Sequence, residues 1–177
     1  MTGGLQYVPQ TEGHVSPFGR AVDAMRVTAE ADHGRLFAEL TGWYRVRVAV
    51  TDVAAGLPDV ELERGLERLA RALFVARTRE YYRLMEVHLQ PDPTTLRRMR
   101  DDLEDATEQA HVTGTAAGGD VEVSSIGMRH FVVRLRPGTA ARLGAEGLGE
   151  ALTAAANEMV AEWLQVLAGY KRERWSR

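Results

Sequence analysis

Nine basic residues in three short runs are the positions in this chain best suited to bind something charged. They are Arg77, Arg79 and Arg83; Arg97, Arg98 and Arg100; and Lys171, Arg172 and Arg174, with Trp175 beside the last. Arginine presents a planar fork of donors that matches a phosphate, and several on one side of a molecule can follow a nucleic-acid backbone. Each run also has a local explanation. Arg97 and Arg98 stand four residues before Asp101 and Asp102, a helix spacing that pairs opposite charges for about 0.2–0.5 kcal/mol each. Lys171, Arg172 and Arg174 suit the negative end of a helix with no ligand at all. The runs therefore read either as a phosphate-contacting surface or as helix charges satisfied locally. Five further arginines, Arg45, Arg47, Arg129, Arg134 and Arg136, alternate with apolar residues. They fit the solvated face of strands, which can also receive an acidic partner.

The other reactive side chains point away from catalysis. The chain has no cysteine, which excludes a disulfide framework, a thiolate zinc site and a cysteine nucleophile. No two of His14, His33, His88, His111 and His130 have the spacing of helical metal ligands. The glycine-rich stretch from Gly114 to Gly119 lacks the Lys-Ser/Thr of a phosphate loop and precedes a strand, so it reads as a connector. The acids between Asp101 and Glu108 read as a solvated helix face, and no serine nucleophile motif occurs. The expectation is a protein without catalytic residues, cofactor or metal.

Length and charge bound the rest. The chain has 177 residues, 45% of them hydrophobic, with 22 Lys+Arg against 25 Asp+Glu. That is ordinary globular usage, enough for one domain or two small ones. The charge divides evenly: residues 1–89 carry 11 basic and 12 acidic groups, residues 90–177 carry 11 and 13. No half is basic, so a DNA-binding surface would have to come from geometry. No apolar run is long enough to span a bilayer, and Met1 to Gln10 show no secretory pattern. The expected location is the cytoplasm, with nucleoid association if DNA is the partner.

The elements that must position these residues follow from periodicity. Residues 1–15 read as a flexible arm. Ser16-Pro17 is a helix start, and Phe18, Ala21, Val22 and Met25 predict an amphipathic helix over 17–31. Alternation predicts a hairpin of 35–40 with 43–51, turning at Thr41-Gly42. Leu62, Leu66, Leu69, Leu73 and Phe74 predict a helix over about 60–88, its stripe running on through Tyr81, Leu84 and Met85. Asp92-Pro93 opens another helix, and residues 112–119 read as a small-residue loop. Val121 and Val123, Gly127, then Phe131, Val133 and Leu135 form a second hairpin. Leu148, Leu152, Ala155, Met159, Trp163, Val166 and Tyr170 predict a last helix over 145–173. The aromatic stripes of the long helices, with Phe74, Tyr81, Tyr82, Trp163 and Tyr170, extend past what a hairpin can cover. They suit packing of one half on the other, or a partner groove.

The order helix, hairpin, helix thus occurs twice. Offset by 85, Gly34 meets Gly119, Gly42 meets Gly127, and Val46, Val48 and Val50 meet Phe131, Val133 and Leu135. Offset by 86, Leu62, Leu66 and Leu73 meet Leu148, Leu152 and Met159. The fold class expected is α+β: two α-β-β(-β)-α units, 16–90 and 91–177, packed as an intrachain pseudodimer.

The second unit resembles the YbaB/EbfC family of nucleoid-associated proteins. The resemblance rests on Gly119-Asp120-Val121-Glu122-Val123, Gly127, Leu135-Arg136-Pro137, Leu148 and Ala155-Ala156-Asn157-Glu158, across about 95–170. Arg136 stands where that family carries Asp, and Ile126-Gly127 where it carries Asn/Asp-Gly. The first unit, with its Gly turn, valine strand and leucine-rich helix ending in Tyr81-Tyr82, is similar to the EspD-type YbaB-like accessory proteins of type VII secretion. The first resemblance implies a dimeric protein that binds DNA with little sequence preference; the nine basic residues above, read from their clustering, are the candidate DNA contacts. The second implies a protein-interaction module, an accessory or chaperone of a secretion system. The expected partners are DNA, held weakly through its backbone, or another protein, including a second copy or a YbaB-like chain; no membrane contact is expected.

Overall fold

A computed structural model of the chain describes residues 16–175, with the side chains of Lys171 and of residues 173–175 outside that description. The arm read over 1–15 lies outside the described residues. The fold is α+β, with two three-stranded antiparallel sheets and helices packed on them.

Helix α1 (Pro17–Asp23) starts as its sequence asks: the Ser16 hydroxyl accepts from the Gly19 N–H at 3.0 Å, and Pro17 fills the first turn. The helix ends sooner than its periodicity predicts. Arg26–Ala31 forms strand β1, paired antiparallel with β2 (Leu36–Thr41), Ala29 opposite Ala38. The side-chain pattern explains the strand. Val27, Ala29 and Ala31 turn inward while Arg26, Thr28 and Glu30 stay exposed, a period of two that a helix cannot use. Strand β3 (Arg45–Val50) completes the sheet in the order β1-β2-β3.

A short helix, α2 (Asp52–Ala55), leads to α3 (Asp59–Leu89). Asp59 and Glu61 lie in the first turn, where the helix dipole favours them, and Leu62, Leu66, Leu69 and Leu73 form the buried stripe. Gln90 ends it in a left-handed conformation. Asp92 caps α4 (Pro93–Thr107), accepting from the backbone N–H groups of Thr94 and Thr95 at 3.2 and 2.8 Å. Hydrogen bonds from Thr95, side chain and then backbone, and from the Thr94 N–H hold the Asp92 carboxyl below the usual range.

The loop expected over 112–119 is instead strand β4 (His111–Ala116) followed by a single 3₁₀ turn. Its alternation is hidden because one inward position is Gly114. A Cβ there would lie 1.9 Å from the Ala155 carbonyl oxygen, so glycine is what lets the last helix press onto the strand. Strands β5 (Val121–Ile126) and β6 (His130–Leu135) follow in the order β4-β5-β6. Helix α5 (Thr139–Trp175) begins earlier than expected, with a break at Gly144, where φ is +68°.

The two sheets keep one register: β1, β2 and β3 begin at 26, 36 and 45, and β4, β5 and β6 begin 85 residues later at 111, 121 and 130. Each long helix then serves both sheets. Helix α3 lies on β1 and β2 and reaches β6; α5 lies on β4 and β5 and reaches β3. The buried side chains consequently form one cluster spanning both halves, with Leu36, Leu62, Val121 and Leu148 fully enclosed. Burying each such leucine contributes about 1.5–3 kcal/mol. Phe74 and Phe131 meet at 6.1 Å between ring centres and join α3 to β6. A cavity of about 70 Å³, walled almost wholly by apolar side chains such as Leu40, Leu69, Phe131 and Met159, lies between the sheets and the two helices. No helix among the described residues is long and apolar enough to cross a membrane.

Candidate functional site

Two features of the surface have the makings of a site: the region where α4 meets the C-terminal halves of α3 and α5, and the outer edges of the sheets.

All nine predicted basic residues fall on the C-terminal half of α3, on α4, or at the end of α5. The Tyr170 hydroxyl donates to the Asp102 carbonyl at 3.4 Å and links α5 to α4. One of the nine is not at the surface. Arg77 is only 7% exposed, with its guanidinium carbon 4.3 Å from the centre of the Tyr44 ring and 4.6 Å from that of Tyr81. A desolvated cation between two rings gains about 2 kcal/mol or more from their quadrupoles. That placement removes Arg77 from any phosphate-contacting surface. The signal was present in the sequence, since Arg77 lies four residues beyond Leu73 on the buried stripe. Its Nε has no hydrogen-bond partner among the described residues.

The other positions are mixed. Arg83 grips Glu80 with a two-point fork, at 2.8 Å from Nε and 2.6 Å from Nη2. That hydrogen bond, with the Arg83 charge behind it, holds the Glu80 carboxyl below its usual range. Arg79, Arg97, Arg98, Arg100 and Arg172 are exposed. The expected pairs of Arg97 with Asp101 and Arg98 with Asp102 do not form; Arg100 contacts Asp101 at 3.6 Å, and Glu104 takes Arg129 from the turn between β5 and β6 at 2.6 Å. The side chains of Lys171 and Arg174 lie outside the described residues. Residues 77–108 hold six arginines among eight acids, so positive charge is not concentrated there.

Behind these charges is an aromatic cluster that the sequence only partly announces. Phe18, Trp43 and Tyr81 meet with ring centres 5.6–6.5 Å apart, and Tyr82 stacks edge-on against Tyr81 at 5.9 Å. Trp43 donates its indole N–H to Asp23 at 3.0 Å. Burial raises the Tyr81 and Tyr82 hydroxyls above the ordinary phenol value. Tyr81 and Tyr82 stood on the predicted stripe. Phe18 reaches them from α1 and Trp43 from the turn after β2, two places that no local pattern joins to α3. Trp163 stands 86 residues after Arg77; it too is buried, and its indole N–H has no partner among the described residues.

The sheet edges form the second feature. Val46 and Val48 direct their backbone N–H groups away from β2 and toward α5. Backbone groups alternate sides along a strand, so β2 bonds to β3 through Phe37, Glu39 and Thr41 and to β1 through Leu36, Ala38 and Leu40. On β1 the ladder therefore uses Val27, Ala29 and Ala31. Arg26, Thr28 and Glu30 turn their N–H and C=O groups outward.

Three of the four edges are closed by helix side chains. On β3, Asn157 of α5 accepts from Val46 N–H at 3.0 Å and donates to its carbonyl at 2.8 Å, as a neighbouring strand would, and Thr153 accepts from Val48 N–H at 2.9 Å. On β4, Glu162 and Glu158 of α5 accept from the N–H groups of Thr113 and Thr115 at 2.6 and 2.5 Å. On β6, Glu67 and Glu63 of α3 accept from Val133 and Leu135 at 3.2 and 2.8 Å. Plugging of this kind denies an edge to other chains. Sequence reasoning missed it because the partners lie far apart along the chain; the visible trace is the i,i+4 spacing of Glu63 with Glu67 and of Glu158 with Glu162.

Among the described residues no three His, Asp or Glu side chains gather to hold a metal ion. Compared with family models, curated proteins and solved structures, the chain matches none.

Proposed function

We propose that this chain is a non-catalytic protein-interaction module, an accessory or chaperone of the type VII secretion kind to which its first half is similar. Its scaffold on this reading is a pair of YbaB-like units joined in one chain as a pseudodimer. The repeated strand register and the reciprocal reach of α3 and α5 support that pairing. The observation that carries the functional reading is the interleaving of charge at the α3–α4–α5 end. Eight acids accompany six arginines over residues 77–108, Arg83 is engaged by Glu80, and Arg77 is enclosed by Tyr44 and Tyr81. A phosphate backbone favours a surface of one sign, and acids set among the arginines repel it. A protein surface accommodates alternating signs and gains specificity from them. Exposed Val87, Leu89 and Met99 add apolar contact area on the α3–α4 hairpin.

A second reading, non-sequence-specific DNA binding of the YbaB/EbfC type, draws support from the five arginines exposed at that same end, Arg79, Arg97, Arg98, Arg100 and Arg172. Electrophoretic shift of duplex DNA over a salt series separates the two. The proposed module gives no salt-sensitive shift in the micromolar range, and Arg97→Glu with Arg98→Glu changes nothing. A shift that weakens as salt rises and disappears in that variant establishes the DNA reading instead. Under the protein reading, a photo-crosslinker at Met99 in cells traps a discrete protein partner, and one at exposed Val53, far along the chain from that hairpin, does not.

A further inference from the structure

The edge of β1 has no side-chain plug among the described residues. We propose that two copies of this chain pair through it, β1 against β1, antiparallel, about a twofold axis at Thr28. The inference stands apart from the partner class proposed above.

Three observations converge on a second copy as the occupant. First, Arg26, Thr28 and Glu30 are exposed and turn their backbone N–H and C=O groups away from β2. Such a row is a template for another strand. Second, the edge is complementary to itself. A twofold axis at Thr28 sets Arg26, which pairs with Glu39 of its own sheet and stays largely exposed, opposite Glu30 of the second copy, Glu30 opposite Arg26, and Thr28 opposite Thr28. Each of these pairs is of the type that exchanges two backbone hydrogen bonds, and opposite charges face each other twice. Centring the axis on Arg26 or Glu30 would instead set like charges together. Third, the adjacent helix leaves the edge clear. The positions on α3 that correspond to Glu158 and Glu162, 86 residues earlier, are Ala72 and Ala76. Neither can reach a backbone N–H, and Ala72 is exposed. Pairing would extend the first sheet across the axis in the order β3-β2-β1-β1-β2-β3 and satisfy the isologous rule that each contact occurs twice.

The mass of the full chain by sedimentation equilibrium over the micromolar range tests this. The wild type is expected to reach twice its monomer mass of 19.6 kDa. Thr28→Pro removes an N–H that β2 does not use, so the sheet keeps its own ladder while the dimer is lost. Arg26→Glu alone and Glu30→Arg alone each set like charges opposite and weaken pairing by about tenfold. Mixing those two variants restores a dimer, because each then faces its complement; a merely structural role for either residue predicts no such rescue. Ala72→Glu with Ala76→Glu, which transplants the plug of β4 onto β1, gives a monomer that melts no lower than the wild type. A wild type that stays monomeric overturns the proposal. So does a dimer indifferent to all these variants, a mixture that fails to recover, or an edge that takes an extended peptide from another protein while the chain itself stays single.

Discussion

Strands β1 and β4 hold the same place in their sheets, begin 85 residues apart, and meet different side chains from the helix beside them. At β4, Gly114 admits α5 so closely that a Cβ would strike the Ala155 carbonyl, and Glu158 and Glu162 close the edge. At β1 the matching strand residue is Ala29 and the matching helix residues are Ala72 and Ala76, so the edge keeps its outward groups. The comparison teaches that strand order does not decide whether an edge is available. A few side chains on the neighbouring helix decide it, through distance and hydrogen-bonding capacity.

That asymmetry can be broken from the β4 side with the largest effect. Gly114→Ala forces the α5 backbone away from the strand and should cost about 3 kcal/mol, the upper part of the usual overpacking range. The mirror change, Ala29→Gly, meets no such contact and costs about 0.5–1 kcal/mol through added chain freedom. Urea unfolding of both variants measures the difference. Equal losses would show that α3 and α5 sit equally close to their strands.

A smaller effect is expected at β3. Asn157→Ala leaves the Val46 N–H and C=O without their partner and should cost about 1–3 kcal/mol. Arg71, 86 residues earlier on α3, is exposed, and Arg71→Ala should stay within about 0.5 kcal/mol. Comparable losses at the two positions would contradict the assignment of Asn157 as an edge plug.

The smallest effect concerns pH and again separates the halves. Burial raises Tyr81 and Tyr82 in the folded chain, and the matching residues in α5, Leu167 and Ala168, do not titrate. The folded state therefore holds the phenol protons more tightly than the unfolded chain, whose tyrosines ionise near 10. Their stabilisation is complete below that pH and is lost as pH rises past it toward the raised folded values. Tyr81→Phe with Tyr82→Phe should flatten the alkaline decline in unfolding free energy; an unchanged decline would place its cause elsewhere.

Much of this architecture was legible in the residues. Strands β2, β3 and β6 show alternation, β5 shows it only at Val121 and Val123, and α3 matches its leucine stripe to within a residue or so at either end. The misses have specific causes. Over Ala24–Ala31 the residue types favour helix, and only pairing with β2 selects the extended form. At β4 the inward residues Val112, Gly114 and Ala116 include one with no side chain and one with a methyl, so the period of two does not show. The candidate site was legible only in part. Arg77 carried a charge that drew attention outward while its position on the leucine stripe pointed inward, and burial between Tyr44 and Tyr81 decided it. The edge plugs depend on pairs such as Val46 with Asn157, which no local pattern brings together.

The claim that, among the described residues, three edges are closed and one is open is tested most directly by residue-resolved amide hydrogen exchange on the full chain, at low and at high protein concentration. The account predicts slow exchange at Val46, Val48, Thr113, Thr115, Val133 and Leu135 under both conditions. It predicts fast exchange at Thr28 and Glu30 in dilute protein, turning slow as the chain is concentrated and β1 finds its second copy. Protection of Thr28 and Glu30 at high dilution equal to that of Thr113 and Thr115 would contradict it.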